Sequence, residues 1–268
     1  MRSPNTIPHR RDTRERNLLP LTARNRNSRP KGQPAPAADT DDKPESTAGK
    51  PNGPKLAWTS ARAVAVFLII TILGLMADLW TKHAAFDALT DRPDLAELAH
   101  YRKSAAESYV RRNPEQYDHL AEPHYVLSAM RLERELFWDI RLKLQTNPGI
   151  VFGLPVPRPI VAVATVLTMG LVAYFFATSP AAWHLVHVAL AFILGGALGN
   201  LYDRLFAVVR IPNLDPIRYQ VRDFIDFSEW GYKWVFNIAD VLLVVGVALL
   251  MLHWLVNAWK THKTAESG

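Results

Sequence analysis

The chain has 268 residues, 49% hydrophobic and 21% charged, a formal net charge of +6 and no cysteine, which excludes a disulfide framework, Cys-ligated metal and a thiol nucleophile. A mean hydropathy of -0.03 hides unlike segments: 13 of the 31 Lys and Arg precede Ala63, whereas residues 159–177 and 181–202 carry no Asp, Glu, Lys or Arg. Such runs are long enough to cross the roughly 30 Å hydrocarbon core of a bilayer, so no soluble globular domain is expected, and basic charge gathered ahead of the first apolar run predicts membrane orientation and no nucleic-acid partner.

Residues 1–57 hold nine of the 19 prolines, Arg-rich patches and the acidic Asp39, Asp41 and Asp42, with too few large apolar side chains to offset the entropy of ordering. They read as a disordered basic cytoplasmic tail, serving as an orientation signal before attraction to anionic lipid. Transmembrane helix 1 is predicted over residues 58–82, followed by an outer-face loop over 83–158. In that loop Val126, Met130, Phe137, Ile140 and Leu144 recur at roughly helical spacing and predict an amphipathic helix. Transmembrane helix 2 is expected over 159–178, helix 3 over 181–203, a second outer loop over 204–233, helix 4 over 234–259 and a short cytoplasmic tail over 260–268. Trp58, Trp183, Trp234 and Trp259 mark the edges of the spans, where aromatic belts form, and the Lys and Arg bias puts both termini in the cytoplasm. The expected fold class is an all-α integral membrane protein, a four-transmembrane-helix bundle in contact with membrane lipids.

An up-and-down path gathers polar clusters on one side: Asp78 and Lys82 in DLWTK, Asn147 and Gly149 in NPGIVFG, Asn200, Asp203 and Arg204 in GGALGNLYDR, Asp223 and Asp226 in VRDFIDF, and Asn237 and Asp240 in FNIAD. An acid within the apolar zone costs on the order of 2.5–3.5 kcal/mol by insertion scales. Asp240, one turn into its span, therefore needs a partner, a proton or water, and Asp223 is the candidate to share its pocket. Two close carboxylates hold one proton between them; such a pair hydrolyses an amide by activating water with one member and donating a proton from the other. There is no G-x-S-x-G elbow and no H-E-x-x-H helix. Each cluster also has a plainer reading. Gly195 and Gly199 have the spacing of close helix packing, Asn200 and Asn237 that of interhelical hydrogen bonds, and Asp78 with Lys82 and Asp203 with Arg204 that of local ion pairs. His184 and His187 fit helix packing or hydrogen bonding better than metal ligation. Spacing does not choose between Asp223 and Asp226.

Taken in order, the five clusters resemble the motifs of the lipoprotein signal peptidase (signal peptidase II, prolipoprotein signal peptidase) family. DLWTK resembles D-x-x-[ST]-K, NPGIVFG resembles N-x-G-x-[AG]-F, GGALGNLYDR matches G-G-A-x-G-N-x-x-D-R, VRDF matches V-x-D-F and FNIAD matches F-N-x-A-D. The resemblance implies that Asp223 and Asp240 are the catalytic aspartates and that Asn200 and Asn237 surround them. It also implies that Asp203 and Arg204 brace them and that Asp78, Lys82, Asn147 and Gly149 shape the outer mouth and bind substrate. It implies an aspartic endopeptidase of the bacterial inner membrane, with its site near the outer face and a small extramembrane cradle. The implied substrate is a diacylglyceryl-modified prolipoprotein, cut before the modified cysteine, and no metal or organic cofactor is needed. The chain is expected to act as a monomer. It departs from the motifs at Val151, in an extension over 205–220 and in the length of the outer loop over 83–146. The alternatives from residues alone are a small transporter or ion-conducting bundle with Asp240 as the ion or proton site, and a membrane scaffold whose polar clusters only glue helices.

Overall fold

The computed structural model describes residues 53–149 and 158–266; residues 1–52 of the expected tail over 1–57, and Val151, lie outside the described residues. In chain order the elements are α1 (Ala61–Thr90), α2 (Leu95–Arg112), α3 (Pro114–Tyr117), α4 (Pro123–Ala129), β1 (Glu133–Phe137), β2 (Ile140–Asn147), α5 (Arg158–Thr178), α6 (His184–Phe206), β3 (Val208–Val209), β4 (Ile217–Arg218), β5 (Val221–Asp226), β6 (Val235–Phe236) and α7 (Ile238–Glu266). Four of them, α1, α5, α6 and α7, are long and apolar enough to cross a membrane.

Helix α6 is the axis of the bundle: 61% of its apolar window is buried, against 28%, 17% and 11% for α1, α5 and α7. Its small residues make that possible. A methyl group on Gly196 would overlap the carbonyl of Ala239 in α7, and one on Gly195 would press to 3.0 Å from the Thr71 carbonyl of α1, so both glycines permit backbones to approach. The start of α1 meets the end of α5 through stacked Phe67 and Phe176 rings, 4.0 Å apart. Further along, Thr71 Oγ1 donates to the Ala191 carbonyl near the start of α6. His187, buried in α6, hydrogen-bonds Ser179 at 2.9 Å; Ser179 Oγ itself donates to the Phe176 carbonyl, so the imidazole supplies the proton. Leu73, Leu167, Val244 and Leu255 remain exposed, the all-round apolarity of helices facing lipid.

The chain is not all-α. Strands β1, β2, β5 and β6 form one antiparallel sheet in that order, and β3 pairs with β4. The amphipathic helix expected through Val126, Met130, Phe137, Ile140 and Leu144 is instead the short α4 followed by a β-hairpin. Its physical reason lies in the sequence: Arg141, Lys143 and Gln145 alternate with Leu142, Leu144 and Thr146, a period of two that belongs to a strand. The hairpin turns through Trp138 and Asp139, both at positive φ (51° and 60°), the geometry of a two-residue type I′ turn.

Leu144 and Phe224 bury against Phe86 and Leu89 of α1, Leu127 of α4, and Leu95 and Ala99 of α2, forming a second core beyond the end of α1. The segment between α6 and β5 joins that core through Val209, Ile211 and Ile217. It also ties to α2, where Asn213 Nδ2 donates to the Ala96 carbonyl at 2.8 Å. The α2–α4 segment and the stretch from Ala207 to Gln220 thus pack on each other.

Because the turn places a carboxylate side chain at φ 60°, Asp139→Gly removes left-handed strain and is expected to stabilise the protein by about 0.5–1 kcal/mol. A rise in the thermal unfolding midpoint of the purified protein in detergent checks this.

Candidate functional site

The polar clusters meet where Asp78 and Lys82 of α1, the end of α6 and the start of α7 come together beside strand β5. Helix α7 begins with a reciprocal cap. Asn237 Oδ1 accepts from the Asp240 backbone N–H at 3.1 Å, and Asp240 Oδ2 accepts from the Asn237 N–H at 3.3 Å. This is the capping-box geometry with Asn and Asp in place of Ser and Glu. A third donor of the same turn, the Ala239 N–H, goes to Asp78 Oδ1 of α1 at 2.8 Å. Asp240 is thereby fixed in the first turn of its helix, where the N-terminal partial charge favours a carboxylate.

Asn237 joins the two aspartates. Its Nδ2 donates to Asp223 Oδ1 at 2.6 Å and to Asn200 Oδ1 at 3.2 Å, while Asn200 Nδ2 donates to Asp240 Oδ1 at 2.9 Å. Asp223 is only 3% exposed, whereas Asp240 is half-buried. Burial first, then the neighbouring Asp240 carboxylate, push the Asp223 carboxyl up to about 8. Asp203 adds a smaller push in the same direction, and the Asn237 amide and the Lys82 ammonium pull the other way.

Below the pair lies a closed ion network. Lys82 Nζ donates to Asp78 Oδ2 at 2.7 Å and Asn200 Oδ1 at 3.0 Å and lies 3.1 Å from Asp203 Oδ2. Lys82, Asp78 and Asp203 have no exposed side-chain surface. All three are enclosed by the partners just named. Gly199 belongs to the same arrangement, since a methyl there would overlap the Asp78 carboxylate. Asp203 does not pair with Arg204. Its carboxylate takes the Arg222 guanidinium at 2.7 and 3.1 Å and the Arg222 backbone N–H at 3.0 Å, anchoring β5 beside Asp223. Arg204 instead donates to the carbonyls of Asn200 at 3.1 Å and Gly149 at 3.0 Å. The Gly149 N–H donates to Asn147 Oδ1 at 2.9 Å, so Asn147 and Gly149 form a turn held at the rim by Arg204.

Strand geometry separates Asp226 from Asp223. Three residues apart on β5, they face opposite sides: Asp226 lies 3.6 Å from Arg141 and 3.8 Å from Lys143, away from Asp240. Arg222 was not among the sequence candidates; its place one residue before Asp223 in a strand was the available signal. The N-x-x-D spacing of FNIAD was likewise readable as a cap. No group of three His, Cys, Asp or Glu side chains that could hold a metal ion occurs among the described residues.

The profile of the Signal peptidase (SPase) II family matches residues 117–256. A lipoprotein signal peptidase of Anaeromyxobacter sp. (strain Fw109-5) is 31% identical over 207 residues, 71% of this chain and 84% of that protein. This chain belongs to the signal peptidase II family. A second lipoprotein signal peptidase of the family, from Desulfitobacterium hafniense (strain DSM 10664 / DCB-2), is 39% identical over 120 residues, 44% of this chain and 70% of that protein. A solved structure described as a bacterial membrane enzyme aligns over 72% of this chain and 94% of its own, with 20% identity and a TM-score of 0.48.

Removing the ammonium at the centre of the network leaves Asp78 and Asp203 buried without their cation. Lys82→Met is therefore expected to destabilise the protein by about 3–5 kcal/mol, read as a large drop in thermal unfolding midpoint. A variant that keeps the parent's midpoint and loses only substrate affinity would contradict a buried positioning role.

Proposed function

We propose that the chain is an intramembrane aspartic endopeptidase that removes signal peptides from bacterial prolipoproteins by cutting before the diacylglyceryl-modified cysteine. The observation that carries this reading is the Asn237 side chain, which holds Asp223 and caps the turn that presents Asp240. Family membership supplies the substrate class. The Lys and Arg bias around the spans supports a position of the pair near the outer face of the inner membrane, where the lipid-modified cysteine of a membrane-inserted precursor lies.

The reaction follows from the two environments. Asp240, accepting from Asn200 Nδ2 and the Asn237 N–H at a helix N-terminus, serves as the base. It takes a proton from water as the water oxygen bonds to the scissile carbonyl carbon. Asp223, whose carboxyl is pushed up to about 8, keeps its proton at neutral pH and donates it toward the developing oxyanion. Asp240 then passes the proton it took from water to the departing amine nitrogen as the carbon–nitrogen bond breaks, and the hydroxyl that becomes the new carbonyl returns its proton to Asp223, without a covalent intermediate. Charge balance agrees with a singly protonated pair. Four carboxylates (Asp78, Asp203, Asp223, Asp240) face three cations (Lys82, Arg204, Arg222), and one shared proton makes the cluster neutral.

Cleavage of a diacylglyceryl-modified prolipoprotein by purified protein tests the proposal. Asp223→Asn and Asp240→Asn are expected to lower the rate by about 10²–10⁴-fold or more while the protein still folds, and Asp226→Asn to leave it within a few fold. Retained activity in either of the first two would sink the assignment, and Asp240-dependent ion uptake into liposomes without cleavage would favour transport.

A pH series carries a separate expectation. Activity falls as pH rises through about 8, where Asp223 gives up its proton. The same group makes stability fall with pH. Its folded value lies above the ordinary 3.8, so the folded state holds a proton that the unfolded chain has released. That contribution is complete below about 3.8 and lost as pH climbs to about 8. Asp223→Asn is expected to flatten this slope in thermal unfolding measured from pH 5 to 9.

A further inference from the structure

Between α2, α4 and the β1–β2 hairpin lies a cleft of about 760 Å³, and none of Asp78, Lys82, Asp203, Asp223 or Asp240 lines it. Four cations do, Arg102, Arg131, Arg141 and Lys143, with a single acid, Glu133. Two of these cations are already paired. Arg141 reaches Glu229 at 2.9 Å and Ser228 at 2.6 Å and lies 3.6 Å from Asp226. Lys143 lies 3.5 Å from Glu133 and 3.8 Å from Asp226. Arg102 and Arg131 have no carboxylate at ion-pair distance among the described residues.

The cleft is short of acceptors. Four cations share it with one carboxylate, and Arg102 and Arg131 have none of their own among the described residues. A compact anion with several oxygens supplies the missing acceptors, and the planar guanidinium fork matches phosphate oxygens in particular. The remaining wall is apolar and aromatic, with Ala106, Leu120 and Val126 between Tyr109 and Tyr125, which suits a hydrocarbon or glyceryl group attached to the anion.

We propose that this cleft binds a phosphate ester, its phosphate held by Arg102 and Arg131 beside Arg141 and its organic part lying along α2 and α4. The site is separate from the aspartate pair and does not depend on the reaction assigned to it. The headgroup of a phospholipid and a soluble phosphate ester share this chemistry.

Isothermal titration of the full-length protein, delipidated in neutral detergent, distinguishes them. The probes are dihexanoyl phosphatidic acid, glycerol 1-phosphate and dihexanoylglycerol, the last lacking phosphate. Phosphatidic acid is expected to bind at least tenfold tighter than dihexanoylglycerol and to lose at least tenfold in Arg102→Gln/Arg131→Gln. Glycerol 1-phosphate binding as tightly as phosphatidic acid would identify a soluble ester as the source; much weaker binding would identify a lipid headgroup. Because the double variant also removes surface charge, Ala106→Trp, which fills the cleft and keeps every cation, serves as a second probe and is expected to abolish the same binding. The proposal is overturned by equal binding of phosphatidic acid and dihexanoylglycerol, or by either variant binding as the parent does.

Discussion

The rest of the site depends on one buried ammonium. Lys82 donates to Asp78 and Asn200 and is ion-paired with Asp203, so a charge with no exposed surface is met on three sides. Each acceptor then reaches a different element. Asp78 caps the first turn of α7 through Ala239, Asn200 orients Asp240, and Asp203 clamps β5 through Arg222. A buried ion pair is weak support for net stability, because desolvation offsets much of the attraction. Its use here is registry: three helices and a strand from distant parts of the chain are set by one point charge. Each carboxylate has a second partner on another element, so moving any one element leaves a charge unmet.

Asn200 shows how the same network decides amide orientation. Its oxygen faces the Lys82 ammonium and the Asn237 amide, and its nitrogen faces the Asp240 carboxylate. The reverse orientation would set donor against donor and acceptor against acceptor. The polar residues therefore form a directed chain from cation to carboxylate, and a low local dielectric strengthens every link. Placing the proposed base in a capping box has a structural consequence as well. Asp240 stabilises the start of α7 in the ionised form, so the residue assigned to take a proton also holds down the helix end that carries it.

Much of this was legible in the sequence because it follows from the bilayer. Uncharged runs, flanking tryptophans and the Lys and Arg bias mark spans, and a polar residue in such a run needs a partner. That is how Asp240, Asn200 and Asp78 stand out. The sheet was less legible. Strands β3, β4 and β6 are two residues each, too short to show a period, and the β2 alternation was masked when Val126, Met130, Phe137, Ile140 and Leu144 were read together at helical spacing. The tie between Asp223 and Asp226 needed the strand itself, since only its alternation turns one toward Asn237 and the other toward Arg141. Neighbours in sequence also misled. Asp203 and Arg204, adjacent at the end of α6, point to different partners because consecutive helical positions lie about 100° apart.

The insert and the extension complete the logic of the site. A four-stranded sheet with two bulged ladders and a two-residue edge strand has little stability of its own. Here Leu144 and Phe224 are buried under α1, α2 and α4, and Ile211 and Ile217 of the extension fill the same core. The strand carrying Asp223 is thus held on one side by the Asp203–Arg222 pair and on the other by apolar packing from two segments that neither span the bilayer nor touch the aspartates. Since Asp223 sits in a burial that raises its proton affinity, any loosening of β5 would let water in and lower it. The extramembrane core is therefore coupled to the acidity of the site through burial alone, with no contact to either aspartate required.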